Sequence, residues 1–228
     1  TKFENFEHAF VSKLNHSALT VTKYFKDQEP HTSSEPFTDP VFPPTWNSIY
    51  GIGPDGQPQD KDPERRAEAE RDFQIDENDI VWLRPTEIFG ADYAMFEGNI
   101  EFDDVRQGSI GNCYFMASIS ALTENPQIIA EIFRHHDVQG NGCYEVCMKI
   151  DGLWNVVMLD DYIPCSKRTK RPIFANPKGN ELWAILLEKA WAKINGGYIN
   201  TVAGMASEVI ECLTNFAYEY NNIQSLES

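Results

Sequence analysis

The sequence predicts an α+β fold, one domain with an arm or two small ones, and three stretches predict it. From Tyr114 to Leu122 the only polar side-chain groups are two serines and the tyrosine hydroxyl, so a helix here is apolar nearly all round and belongs in the interior. Tyr144, Val146, Met148 and Ile150 alternate with Cys143, Glu145, Cys147 and Lys149, and Asp151-Gly152 leads into a second run from Leu153 to Leu159. That is the pattern of an antiparallel hairpin. Between Glu181 and Asn195, the residues Leu182, Ile185, Leu186, Lys189, Ala190 and Ile194 fall on one face of a long helix.

The other elements follow in chain order. Phe3, Phe6, Phe10 and Leu14 recur at spacings of three and four, which predicts an amphipathic helix in an arm over residues 1–29. Its polar face is not strongly basic, so docking against protein suits it better than lying on a membrane. Eight of the thirteen prolines fall between Pro30 and Pro63, which makes 30–74 an extended strap anchored by Phe37, Phe42 and Trp46. The strap ends in a short charged helix from Pro63 to Phe73. Residues 75–228 hold the core.

Within it, Asn125-Pro126 starts a second helix with Ile128, Ile129, Ile132 and Phe133 facing inward, and His135 and His136 sit at its C-terminal end, where cationic groups are favourable. Asn180 is placed to cap the long helix, and Gly196-Gly197 to end it. A last helix is expected from Ala206 to Tyr220. Two motif matches fail. Gly51, Gly53 and Gly56 fit a dinucleotide fingerprint, but Pro54 and Pro58 exclude the helix it needs. Asp76, Asn78 and Glu87 suggest an EF-hand loop, but Val81 stands where that loop requires glycine.

With 19 Lys plus Arg against 35 Asp plus Glu, the formal charge is -16. Nucleic acid and anionic membrane surfaces are therefore poor partners, and no apolar run approaches membrane-spanning length. Five cysteines at irregular spacings make neither a disulfide framework nor a zinc site. A reducing, cytoplasmic setting is the expectation.

Cys113 stands apart from the other four. It falls at the N-terminus of the apolar helix, where the dipole and first-turn N–H groups favour thiolate, the nucleophilic form. Gly108 and Gly111 let the backbone turn tightly beside it, and the Gln107 amide is positioned to donate to an oxyanion formed by attack of that sulfur on a carbonyl. Just upstream, Glu97, Glu101, Asp103 and Asp104 place four carboxylates in eight residues. Taken alone, that run reads as a solvated acidic loop.

The stretch from Gln107 to Thr123 resembles the active-site cysteine segment of calpains, a branch of the papain-like cysteine proteases. The resemblance extends through Phe37-x-Asp39-x-x-Phe42-Pro43-Pro44, Trp82 to Ile88, Glu181-Leu182-Trp183 and Leu186 to Tyr198. It implies a papain-like cysteine proteinase fold, of which this chain is the first, Cys-bearing subdomain. It also implies a calcium-dependent endopeptidase that attacks protein or peptide substrates through Cys113, with Gln107 in the oxyanion hole. Papain-like chemistry further needs a histidine and an asparagine, which calpains carry in a second catalytic half. By position, the resemblance assigns a calcium ion to the carbonyls of Glu97 and Asn99 and the side chains of Asp104 and Glu181. Phe102, Asn112 and Tyr114 depart from the arginine, aspartate and tryptophan that calpains favour. The alternative is therefore a non-catalytic calpain-like module in a larger assembly, a cytoskeletal one included.

Overall fold

The computed structural model describes residues 31, 33–51, 63, 64, 66, 67, 71, 76–101, 105, 106 and 108–216. The amphipathic arm at 1–29, most of the Pro63 to Phe73 helix, Phe102, Asp103, Asp104 and Gln107 lie outside them.

The helices and antiparallel strands expected of an α+β core are present. Short helix α1 (Trp46–Tyr50) lies within the segment expected to run extended. It forms there because Ile49 and Tyr50 are fully buried in a cluster with Phe42, Phe174 and Tyr198, an anchor of more than isolated side chains. Strand β1 (Ile80–Leu83) and helix α2 (Pro85–Phe89) follow, then β2 (Val105–Arg106), α3 (Cys113–Leu122) and α4 (Pro126–Ile132). The rest comprises β3 (Cys143–Ile150), β4 (Leu153–Asp160), β5 (Ile163–Ser166), β6 (Asn176–Pro177), α5 (Trp183–Ile194) and α6 (Ala206–Thr214).

Among the described residues the strands pair as three separate antiparallel ladders, β1 with β5, β2 with β6 and β3 with β4. The β3–β4 hairpin runs from Cys143 opposite Asp160 to Ile150 opposite Leu153. Its two-residue loop has Asp151 at φ 51 and Gly152 at φ 78. Two successive positive φ values make a turn whose twist matches the flanking strands, which is why Asp-Gly closes it.

Helix α5 is the axle. All twelve residues from Trp183 to Ile194 are buried, including Glu188, Lys189 and Lys193, so the single inward face expected from its spacing is a wholly enclosed helix. It starts two residues later than predicted, because Leu182 N–H and Trp183 N–H donate to the carbonyls of Ala94 and Met95 at 3.1 and 3.2 Å. Asn180 does not cap it; its side-chain amide donates to the Asp92 carbonyl at 2.8 Å. Gly196, at φ 78, ends it as expected. Helix α6 stops at Thr214, with Asn215 in the left-handed conformation at φ 64, short of the end expected at Tyr220.

Buried cations of α5 bind the strap and the hairpin together. Lys189 pairs with Asp160 and donates to the Tyr162 carbonyl at 2.7 Å. Lys193 donates to Asp39 at 2.7 Å and to the Met158 carbonyl at 2.6 Å. Burial lowers the Lys193 pKa, and Asp39 opposes that.

Candidate active site

Cys113 is the first residue of α3 and is exposed. The helix was expected to be buried all round. Instead Cys113, Ala117 and Ala121 form an exposed stripe at spacings of four, while Phe115, Met116, Ser118, Ile119, Ser120 and Leu122 are buried. Small apolar residues on the open side hid this asymmetry from the sequence pattern. The other described cysteines differ: Cys143, Cys165 and Cys212 are buried and Cys147 is half-buried. Burial pushes the thiols of Cys143, Cys165 and Cys212 up to about 12, which suppresses their thiolate form at neutral pH.

The turn into α3 is built by close backbone packing. A Cβ on Gly108 would collide with the carbonyl oxygens of Ile173 and Phe174, so only glycine fits there. Ser109 N–H donates to the Ile173 carbonyl at 2.9 Å, and Ala203 N–H donates to that of Gly111 at 3.2 Å. Phe115 N–H donates to the Asn112 carbonyl at 2.9 Å, closing the first helical turn. On the far side, Phe115 stacks on Trp191 with ring centroids 5.7 Å apart, and the Trp191 indole N–H donates to the Tyr114 hydroxyl at 2.9 Å.

One residue that sequence reasoning did not single out sits under this turn. Glu188 is fully enclosed in α5; Asn112 Nδ2 donates to its Oε1 at 2.7 Å and Ala175 N–H donates to its Oε2 at 2.8 Å. Burial pushes its carboxyl up to about 7, and the two hydrogen bonds oppose the shift. Its position three residues after Ile185, on the inward side of an apolar helix, was the available signal.

Of the residues assigned to calcium, the structure brings Glu181 and Glu97 together. Glu181 is 2% exposed, and its Oε2 accepts the Glu97 N–H at 3.2 Å. The Glu97 carboxylate accepts the Asn180 N–H at 3.4 Å. Asn99 is exposed two positions further on, and Asp104 lies outside the described residues. Among the described residues no group of three or more His, Cys, Asp or Glu side chains could hold a metal, so any cation here would depend on backbone carbonyls as well.

The described histidines face elsewhere. His135 Nε2 is 3.6 Å from the Glu145 carboxylate, His136 Nε2 is 3.0 Å from the Ala130 carbonyl in the last turn of α4, and His31 Nε2 is 3.1 Å from the Glu35 carbonyl. Among the described residues no helix is long and apolar enough to cross a membrane.

A family model for the calpain family cysteine proteases matches residues 37–227. Among curated proteins, the chain is 29% identical over 218 residues to the calpain-type cysteine protease DEK1 of Zea mays, covering 93% of this chain and 9% of that protein. It is 34% identical over 185 residues to Calpain-5 of Caenorhabditis elegans, covering 78% of this chain and 25% of the relative. With the Calpain-1 catalytic subunit of Sus scrofa the identity is 32% over 152 residues, covering 65% and 21%. The chain thus spans a quarter or less of the length of these relatives.

Proposed function

The chain belongs to the calpain family of cysteine proteases, and we propose that it is the Cys-bearing half of a calcium-dependent endopeptidase core. In this reading Cys113 attacks the peptide carbonyl as thiolate, Gln107 donates to the oxyanion, and water hydrolyses the acyl-enzyme. The observation that carries it is the exposure of Cys113 at the head of α3, on a turn held tight by Gly108. Substrates are proteins or peptides. The base and its orienting amide come from a second catalytic half, for which the open stripe of Cys113, Ala117 and Ala121 is a fitting landing face. The three described histidines have partners in their own or adjoining segments, which supports assigning the base elsewhere.

Calcium is the cofactor of the same reading. The donors assigned to it are all oxygen, the chemistry this hard cation takes, and the enclosed Glu181 carboxylate meets the Glu97 backbone. Glu181 and Asp104 would hold the ion with the carbonyls of Glu97 and Asn99, where it would supply order rather than chemistry. Five cysteines at irregular spacings fit a reducing, cytoplasmic setting.

The test is hydrolysis of a fluorogenic peptide. The 228-residue chain alone is expected to show no turnover, with or without calcium, because acyl transfer without a base and proton donor is slower by orders of magnitude. A longer chain carrying the second half should turn over, and Cys113→Ser should abolish that activity. Cys113-dependent turnover by the 228-residue chain alone would contradict the proposal and make His135 and His136 the first suspects. The second reading, a non-catalytic module, rests on Phe102, Asn112 and Tyr114, where calpains favour other residues. It predicts no turnover from the longer chain either.

A further inference from the structure

Glu188 and Asn112 share an unequal set of hydrogen bonds. Glu188 accepts from both neighbours, Asn112 Nδ2 at 2.7 Å and Ala175 N–H at 2.8 Å, whereas Asn112 Oδ1 is buried with no hydrogen-bond partner. Asn112 is the residue immediately before Cys113. Ala175 follows Ile173 and Phe174, whose carbonyls pack on Gly108, that of Ile173 also accepting from Ser109 N–H. One enclosed carboxyl group therefore grips both sides of the turn that presents the thiol.

We propose that Glu188 is a positioning residue for Cys113, acting through a buried carboxyl–amide pair with Asn112 that sets the turn into the cysteine helix. The inference rests on the reading of Cys113 as nucleophile.

The pair has two complementary arrangements. With Glu188 ionised, Asn112 Nδ2 donates to the carboxylate and Oδ1 is left without a partner, as observed. With Glu188 protonated, its O–H can donate to Asn112 Oδ1 once the amide turns over, while Ala175 N–H still donates to the other carboxyl oxygen. The proton moves between solvent and Glu188, and no covalent bond other than O–H forms or breaks. Turning the amide over moves the unpartnered buried position from Oδ1 to Nδ2, so the pair exchanges donor and acceptor roles as Glu188 takes up a proton. Its carboxyl, pushed up to about 7 by burial, does so near neutral pH.

Other charged groups around α5 are already engaged. Lys189 pairs with Asp160, Lys193 with Asp39 and Arg84 with Asp161. The buried Tyr198 phenol, pushed well up by burial and by Glu188, stays neutral over this range, and so does the Cys165 thiol, raised to about 12.

Two readouts on the 228-residue chain test this. The first is the backbone amide shift of Cys113 and of Ala175, followed by NMR from pH 5 to pH 9. Both should titrate together near pH 7 in the natural chain and stay flat in Glu188→Gln, which mimics the protonated acid and can keep both hydrogen bonds with Asn112 turned over. The second is the pH profile of Cys113 alkylation by iodoacetamide, with Cys147 as internal reference. The natural chain should depart from a single thiol ionisation around pH 7, and Glu188→Gln should follow the single ionisation. Glu188→Ala, which loses both contacts, should alter the Cys113 rate relative to Cys147 by roughly fivefold, the ratio one hydrogen bond commands.

Amide shifts that do not titrate near neutral pH, or that titrate equally in Glu188→Gln, overturn the proposal even where Cys113 is the fastest thiol. Titrating shifts that vanish in Glu188→Gln, with Cys113 slower than the buried thiols, uphold the pairing and overturn the nucleophile reading instead.

Discussion

Lys193 Nζ lies 2.7 Å from Asp39 Oδ2 although 154 positions separate them, and both side chains are buried. Asp39 also accepts the Val41 and Phe42 N–H groups at 2.9 and 3.1 Å, and its own N–H donates to Asp160 at 2.7 Å. The strap is thus bolted to the helix that supports the cysteine turn by one ion pair with its hydrogen bonds satisfied.

Breaking that pair from one side leaves a buried charge uncompensated, which typically costs about 3–5 kcal/mol. Asp39→Asn and Lys193→Met should each lower the unfolding free energy by that order. The double substitution should cost clearly less than the two added together, because it leaves no orphaned charge. Additive losses in urea titrations would show that the two groups act independently.

Gly108→Ala should be destabilising, by about 1–3 kcal/mol for an overpacked site, since its Cβ has nowhere to go between the Ile173 and Phe174 carbonyls. Gly140→Ala, at a glycine with nothing near its Cβ, is the control and should change stability little. Equal effects at the two positions, measured by thermal melting, would refute the close-packing account.

Glu188 makes stability depend on pH with a defined sign. Its folded carboxyl titrates near 7, above the ordinary 4.5, so its stabilising contribution is full below about pH 4.5 and is lost as pH rises through about 7. The loss is on the order of 3 kcal/mol. Glu188→Gln should remove this term, so the difference in unfolding free energy between the two chains should shift in favour of Gln as pH rises from 5 to 8. A difference that stays constant with pH would mean that Glu188 titrates normally.

If Glu97, Asn99, Asp104 and Glu181 hold calcium, millimolar calcium should raise the melting temperature of the chain, and Glu181→Gln and Asp104→Asn should each remove the response. Saturation at a hundred times the dissociation constant corresponds to about 2.7 kcal/mol. No response to calcium in the natural chain would leave residues 97–104 as a solvated acidic loop.

Much of this architecture was legible in the sequence, and the omissions have physical causes. Cys113 at a helix start, the Asp151-Gly152 turn and the Gly196 stop are local signals, fixed by backbone preferences of a few residues. The exposed stripe of α3 was hidden because Cys113, Ala117 and Ala121 are small and apolar, so burial and exposure leave the same pattern. The spacing put Lys189 on the inward face, and Glu188 follows Ile185 by three, but what holds Glu188 and Lys193 in the interior is partners 13 to 154 positions away, which local spacing does not encode. The late start of α5 likewise comes from the backbone of Ala94 and Met95, a tertiary pairing that overrides the cap suggested by Asn180.

If Cys113 is the nucleophile, it should outpace the other four thiols in competitive alkylation. Under limiting iodoacetamide at pH 7, with mass spectrometry quantifying each cysteine, Cys113 should be modified first. It is exposed at a helix N-terminus, whereas Cys143, Cys165 and Cys212 are buried with thiols raised to about 12. Faster modification of Cys143, Cys147, Cys165 or Cys212 in the folded chain would contradict the account.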